Sequence, residues 1–186
     1  MKNIKNRIIN KFIIIENKYK LVLNEYTNKK YRDDLLFDYL TLDDLKQIKE
    51  IHNNEINDIK YEILKDRIND DKVKLFKITD KNNIILGYCS LSYRDIKENT
   101  INYCISMEDE GAYLFDDYVF NRYRGKGIHG FSIYKRVEYA IKDKKKYAVA
   151  LVYSWNKNSS NNFKKIGFKE YGKCYYFKLI GKLLIR

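Results

Sequence analysis

Tyr118-Val119-Phe120-Asn121-Arg122-Tyr123-Arg124-Gly125-Lys126-Gly127-Ile128-His129-Gly130 is the stretch on which the fold turns. The apolar run from Tyr113 to Phe120 before and into it reads as a strand. A short loop follows that holds Arg122, Arg124 and Lys126 among glycines. Gly130, Ile133, Tyr134, Val137, Ala140 and Ile141 then share one face of an amphipathic helix. A strand, a glycine-rich turn and a helix N-terminus in succession suit an anion. Glycine lets the backbone approach closely, the first-turn N–H groups lack helical partners, and the helix dipole favours negative charge. The stretch predicts an α/β protein that grips a phosphate-bearing ligand.

Downstream, Tyr147–Tyr153 is almost wholly apolar, as in a strand buried on both faces and paired in parallel. Ser154-Trp155-Asn156 leads into a helix over 159–166, with Gly167 as its left-handed C-cap and Phe168 restarting a strand. Residues 173–180 read as a final strand, and the basic, apolar C-terminus as an edge strand or docking tail. Upstream, Leu35–Leu40 reads as a strand. Thr41 with Asp43 and Asp44 starts a helix running to His52 on Leu45, Ile48 and Ile51. Ile56, Ile59, Ile63 and Ile68 set a second helix. Val73–Thr79 and Ile84–Tyr93 form a hairpin across the turn cluster Asp80-Lys81-Asn82-Asn83. A short strand over 99–106 and a tight acidic turn over 107–111 complete the run. Residues 1–34 form an N-terminal extension, in which Ile4, Ile8, Ile9 and Phe12 keep helical spacing and Tyr19–Leu23 looks extended. The remaining domain is 35–186, with no internal repeat or linker.

With 186 residues, 45% hydrophobic and 15% aromatic, the chain can bury a core without disulfides and is not a disordered sequence. No apolar run approaches the ~18–20 residues of a membrane span, and the basic N-terminus lacks the apolar region and cleavage site of a signal peptide. Cys89, Cys104 and Cys174 are odd in number and lack metal-ligand spacing, so they read as buried, reduced thiols of a cytoplasmic protein with no metal. The net charge of +12 is tempting as a polyanion footprint. A chain rich in Lys, Asn, Ile and Tyr and devoid of Pro has the profile of an AT-rich coding sequence, which explains much of the surplus without a nucleic-acid partner.

Three motifs compete for the loop. Gly125-Lys126-Gly127-Ile128-His129-Gly130 spells G-x-G-x-x-G, but the dinucleotide fingerprint needs a glycine at the strand end and an acidic residue closing the next strand. Here four residues separate Phe120 from Gly125, and the next strand ends in Val152-Tyr153-Ser154. A phosphate-binding Gly-Lys-Ser/Thr loop is absent. The third, R/Q-x-x-G-x-G/A, is met by Arg122, Gly125 and Gly127. A second block sits downstream: Asn156-x-x-Ser159, Phe163 and Lys165-x-Gly167-Phe168. Over about residues 112–168 this two-block arrangement resembles the GNAT superfamily of acyl-CoA-dependent N-acetyltransferases.

The resemblance implies an α/β fold with a mixed, mostly antiparallel sheet, a splayed parallel pair and flanking helices. It implies acetyl-CoA as co-substrate. Its pyrophosphate would rest on the amides of Arg124, Gly125, Lys126, Gly127 and Ile128, with Arg122, Arg124 and Lys126 adding charge-assisted contacts. Its pantetheine arm would pair with the backbone of Tyr118, Val119 and Phe120, where an N–H polarises the thioester carbonyl. Asn156, Ser159 and Phe163 would close the other wall. The implied reaction is direct transfer of an acetyl group to a primary amine in a ternary complex.

A proton acceptor is needed for that amine. Asp117 and Asp116 are adjacent on a strand, so only one can face the cleft, and alternation from Val119 puts Asp117 with Phe115 and Asp116 with Leu114. Asp117 is the preferred base, with pairing to nearby lysines or capping of a turn the competing role for both. The family's usual tyrosine, seven residues past the asparagine, is Phe163 here. Another hydroxyl such as Tyr153 or Tyr175 would then serve the thiolate, or it leaves unassisted. Asp116-Asp117-Tyr118 ahead of Arg124-Gly125-Lys126-Gly127-Ile128 is similar to members associated with surface-polysaccharide synthesis, which implies an amino-sugar acceptor. A peptide or protein amine acceptor, a non-catalytic coenzyme A-binding module and a basic nucleic-acid binder stand as alternatives. The oligomeric state is open, a homodimer included.

Overall fold

The computed structural model describes residues 12–27, 32–98, 101, 103–107 and 110–186. The strands and helices among them are β1 (Ile13–Val22), β2 (Leu35–Tyr39), α1 (Leu42–Ile51), α2 (Asp58–Ile68), β3 (Val73–Asp80), β4 (Ile85–Ser92) and β5 (Ile96–Glu98). Then come β6 (Tyr103–Ile105), β7 (Gly111–Val119), α3 (Ile128–Lys142), β8 (Tyr147–Tyr153), α4 (Lys157–Ile166), β9 (Lys169–Phe177) and β10 (Lys182–Ile185). Eight strands make one sheet in the order β10-β9-β1-β8-β7-β4-β3-β2, and β5 pairs with β6 in a separate hairpin. Every pairing in the large sheet is antiparallel except β7 with β8. The mixed sheet with one parallel pair is the architecture expected from the sequence.

Local chemistry sets the helix ends. Thr41 and Asp44 form a reciprocal capping box at the start of α1, each side chain accepting the other's backbone N–H. Asn156 caps α4 by accepting the amide of Ser159, and Gly167 ends it at φ +116°. In α2 the buried side chain is Leu64; of the expected isoleucines, Ile56 before the helix and Ile68 at its end pack in the same cluster, while Ile59 and Ile63 are exposed. In α3 the expected face holds except at Ile141, which is exposed. Arg136, on the same helix, is wholly buried.

β1 was not legible as an element, although 19–23 reads as extended. It lies inside the sheet, antiparallel to β8 on one side and β9 on the other, with Tyr19 and Leu21 in the core. Residues 13–22 of the N-terminal extension thus belong to the same sheet as the rest. The helical spacing of Ile4, Ile8 and Ile9 lies outside the described residues. The strand expected to restart at Phe168 and the one expected over 173–180 are a single strand, β9, and Gly181 at φ +61° turns the chain back so that β10 covers the edge of β9. The expected strand over 99–106 is described only at 101 and 103–106, where β6 pairs with β5; the acidic turn over 107–111 includes Glu108 and Asp109, outside the described residues. Cys89 and Cys174 are buried free thiols. Cys104 is exposed, because it points outward from the two-stranded hairpin.

The sheet is covered on both faces. α3 and α4 pack on Tyr19, Leu21, Phe76, Cys89, Leu114 and Ala150. On the opposite face α1 and α2 pack on Leu75, Ile85, Tyr88 and Phe120, while the β5–β6 hairpin covers Tyr113, Phe115 and Val149. No helix among the described residues is long and apolar enough to cross a membrane.

Candidate active site

The site begins with a pairing that stops. Gly111, Ala112 and Tyr113 of β7 pair with Tyr147, Ala148 and Val149 of β8, and no further register continues, although β7 runs to Val119 and β8 to Tyr153. β8 keeps its other edge on β1, and β7 keeps its other edge on β4. The facing edges of 114–119 and 150–153 therefore bound a slot whose backbone groups have no strand partner among the described residues. Phe120 N–H is spent on Leu86 O at 3.1 Å. Strand alternation accordingly turns the Val119 N–H toward the slot.

A β-bulge in β7 causes the divergence. Tyr88 is level with Tyr118 but Ser90 with Phe115, so β7 carries one extra residue, and Asp116 takes φ +51° to absorb it. The bulge overturns the alternation counted from Val119. Asp116 shares the α2 face with Phe115, and Asp117 faces α3 with Leu114.

Both carboxylates expected as bases are engaged in ion pairs. Asp116 receives Lys60 at 2.6 Å and Arg67, both from α2. Asp117 receives the Ser132 hydroxyl at 2.9 Å and the guanidinium of Arg136. Arg136 also donates to the carbonyls of Ser90 at 2.9 Å and Phe115 at 3.4 Å, filling the places where the bulge interrupts the β4–β7 ladder. Burial pushes the Asp117 carboxyl up, but the charges of Arg136 and His129 outweigh it and hold the group far below the usual carboxylate range. A carboxylate so held is a poor proton acceptor at neutral pH.

At the mouth of the slot, Gly125 and Gly127 sit at φ +78° and +75°, the latter as N-cap of α3. The amides of 125–130 donate to no protein acceptor among the described residues, which leaves a row of N–H groups for an anion. Arg32 clasps the Lys126 carbonyl from behind the loop. The side chains differ from expectation. Arg124 folds back to the Val119 carbonyl at 3.1 Å, and Arg122 lies over the Tyr123 ring and lines a cavity of about 230 Å³ with Ile51 and His52. Lys126 is exposed, and Phe120 and Ile128 have their side chains in the core, leaving only their backbone to a ligand.

Glu55, between α1 and α2, gave no sequence signal as an isolated acid. Its Oε2 accepts both the Tyr118 hydroxyl and the Asn121 amide at 2.9 Å, and His52 stands 3.5 Å from its Oε1. Burial raises the Glu55 carboxyl, yet these donors, the Asn121 amide first, keep it below its ordinary range. Glu55 is thereby a positioning residue for the entry to the loop. The His52 ring, its pKa lowered by burial and by Arg122, stacks on Phe120 at 3.7 Å.

On the α4 side, Asn156 Oδ1 and the Ser159 amide satisfy each other. Phe163 is buried, packed near His129, Tyr19 and Phe168. His129 Nδ1 lies 2.9 Å from the side-chain amide nitrogen of Asn162, and its Nε2 lies 3.7 Å from Asp117. Around Phe163, the Tyr19 hydroxyl, His129 Nε2 and Ser160 Oγ are buried without a hydrogen-bond partner, as is Asn17 Oδ1 on the same face of β1. Unpaired polar groups of this kind suit a ligand that carries amides and hydroxyls along the slot. Among the described residues no cluster of His, Cys, Asp and Glu could hold a metal.

No protein-family model and no curated protein matches the chain. Solved structures do. A spermidine N-acetyltransferase from Vibrio cholerae, solved in complex with CoA and spermine, is 21% identical over 76% of this chain and 84% of its own, with a TM-score of 0.56. A tandem GNAT protein from the clavulanic acid biosynthesis pathway is 9% identical over 87% and 51%, at 0.62. A glucosamine N-acetyltransferase region of a fungal multi-domain β-N-acetylglucosaminidase is 8% identical over 94% and 22%, at 0.64. The chain spans between 22% and 66% of the length of the first four solved structures it matches. The strand order, the single parallel pair and these likenesses together give the chain the fold of the GNAT superfamily of N-acetyltransferases.

Proposed function

We propose that this protein is an acetyl-CoA-dependent N-acetyltransferase that moves an acetyl group directly to a primary amine in a ternary complex. The observation that carries the reading is the slot between β7 and β8, open beyond Tyr113 and Val149, with the unpartnered amides of 125–130 at its mouth. Those amides and the positive end of α3 fit a pyrophosphate, and the free strand edges fit the amides of a pantetheine arm. When bound, acetyl-CoA supplies the activated acyl group. The chain's own part is to hold the thioester and the amine in one frame, a positioning effect that accounts for much of the rate in such transfers. The Val119 N–H points toward the slot, where it can polarise a carbonyl oxygen.

For the acceptor, an amino sugar is our first choice, in keeping with the glucosamine N-acetyltransferase region among the structural neighbours. A peptide amine is second. A thermal melt tests the donor: acetyl-CoA at 100 times its Kd adds about 2.7 kcal/mol to stability, and no shift at millimolar concentration would sink the reading. A thiol-release screen of acetyl-CoA against sugars, peptides and polyamines tests the acceptor. A module that binds coenzyme A without catalysis gives the melt shift and no thiol with any amine.

A further inference from the structure

Glu16 is a buried carboxylate for which the described residues supply no ion-pair partner. It is 5% exposed, and its Oε2 is sealed from solvent without a hydrogen bond. Asp116, Asp117 and Glu55, by contrast, are each committed to basic or hydroxyl groups. The regular pairing of β1 with β8 sets Glu16 level with Tyr153, beyond the point where β7 and β8 part, so it lies at the height of the slot and one strand away from it, across β8. It shares a face of β1 with Lys18 and Lys20, the face covered by the β5–β6 hairpin. Glu98, at the end of β5, is close enough for its charge to act on Glu16, and it accepts the Tyr113 hydroxyl at 2.8 Å. On the same face a cavity of about 130 Å³ is lined by Lys18, Tyr103, Tyr113, Tyr147, Leu151 and Tyr171.

A carboxylate out of water next to a second carboxylate needs either a proton or a cation. Burial, and then the charge of Glu98, push the Glu16 carboxyl up to about 7. The other groups facing it are Tyr113 from β7, Tyr153 from β8 and Cys174 from β9. The nearby ammonium groups are turned to rings: Lys18 lies 4.8 Å from the Tyr171 centroid and Lys20 4.1 Å from that of Tyr147. Neither forms an ion pair with Glu16 among the described residues. Among the described residues this place lacks a cation, and only β8 separates it from the slot in which an amine would meet a thioester.

We propose that Glu16 and Glu98 form the subsite for the ammonium group of a cationic primary amine, and that Glu16 takes its proton to release the attacking nitrogen. The proposal rests on the acetyl-transfer reading above. The ammonium gives one proton to the Glu16 carboxylate. The nitrogen lone pair bonds to the thioester carbonyl carbon, and the C–S bond breaks with its electron pair on sulfur. The second nitrogen proton goes to the thiolate, giving amide and free thiol, and Glu16 then releases its proton to solvent. The tyrosine rings that line the cavity suit a cation as well.

The test follows the Glu16 carboxyl by 13C NMR in the full chain, with and without saturating CoA, its resonance assigned by its loss in Glu16→Gln. n-Propylammonium and putrescine are the probes. Either one is expected to lower the Glu16 titration midpoint by about one unit, and Glu16→Gln to weaken amine binding roughly tenfold with acetyl-CoA affinity unchanged. With the amine that releases most thiol, kcat/KM falls about 100-fold in Glu16→Gln and the acid limb of the pH profile disappears. Glu98→Gln acts mainly through KM. A midpoint unmoved by both amines, or parental kcat/KM in Glu16→Gln, overturns the proposal even where acetyl-CoA binds. Failure of acetyl-CoA to bind overturns the donor reading instead, and the carboxyl titration still decides whether the amine subsite exists.

Discussion

Asp117 and Glu16 are two buried carboxylates with opposite electrostatics, and each makes its own prediction. Removing the charge of Asp117 leaves the Arg136 guanidinium buried without a counter-ion, so Asp117→Asn should cost about 3–5 kcal/mol in urea denaturation. A paired Arg136→Met change should recover part of that loss. Because the Asp117 pKa is lowered from 3.8, its contribution is in full force above that value and is lost as the pH falls below it. Glu16 has the reverse sign. Its pKa is raised from 4.5 to about 7, so its burial is free of penalty below pH 4.5 and costs stability as the pH rises through 7. Glu16→Gln should match the parent at pH 4 and exceed it by about 3 kcal/mol at pH 8.5. Denaturation midpoints at the two pH values check this, and a variant that gains stability while losing turnover would separate function from folding. Sequence alone offered Asp116 and Asp117 as bases because they precede the loop. It could not show the bulge, since an extra residue in one strand exists only relative to the register of its partner.

At the scale of elements, the glycine loop and the bulged strand do different things. Gly127 holds φ +75° at the helix start, and a Cβ there would meet only Arg32 Nη1, at 3.5 Å. Gly127→Ala is thus a test of backbone conformation rather than of crowding. It should cost about 1–2 kcal/mol and weaken acetyl-CoA binding several-fold by turning the first amides of α3 away, as measured by calorimetry. This element was largely legible: the strand, the glycines and the helix face all lie within a short stretch, and local spacing encodes them. The aim of Arg122 and Arg124 was not. Their long side chains answer to the ring of Tyr123 and the carbonyl of Val119, contacts that depend on how the loop folds back. Glu55 was invisible for the same reason, since its partners Tyr118 and Asn121 lie more than sixty positions away.

The whole molecule depends on β1. This strand alone joins β8 to β9, and Tyr19 and Leu21 place large side chains in the main core. Each such side chain stabilises by about 1.5–3 kcal/mol. Losing the strand would also free a long edge on β8 and detach β9 and β10. Set against a total stability of about 5–15 kcal/mol, the deletion should be fatal. A fragment of residues 35–186 is expected to give no cooperative melt and to aggregate, whereas the full chain melts in one transition.

The amino-acid sequence by itself determined the elements whose signals are local: the capped helices α1 and α4, the β3–β4 hairpin, the glycine loop and the apolar run of β8. From those it also determined the family likeness. Tertiary structure alone decided the place of β1, the bulge that opens the slot, the buried Arg136 and the partners of Asp116, Asp117 and Glu55. Local spacing records which face a residue presents, but an ion pair, a register shift or an unpaired buried oxygen is a relation between distant segments. Such a relation takes effect only when the folded chain removes both groups from water.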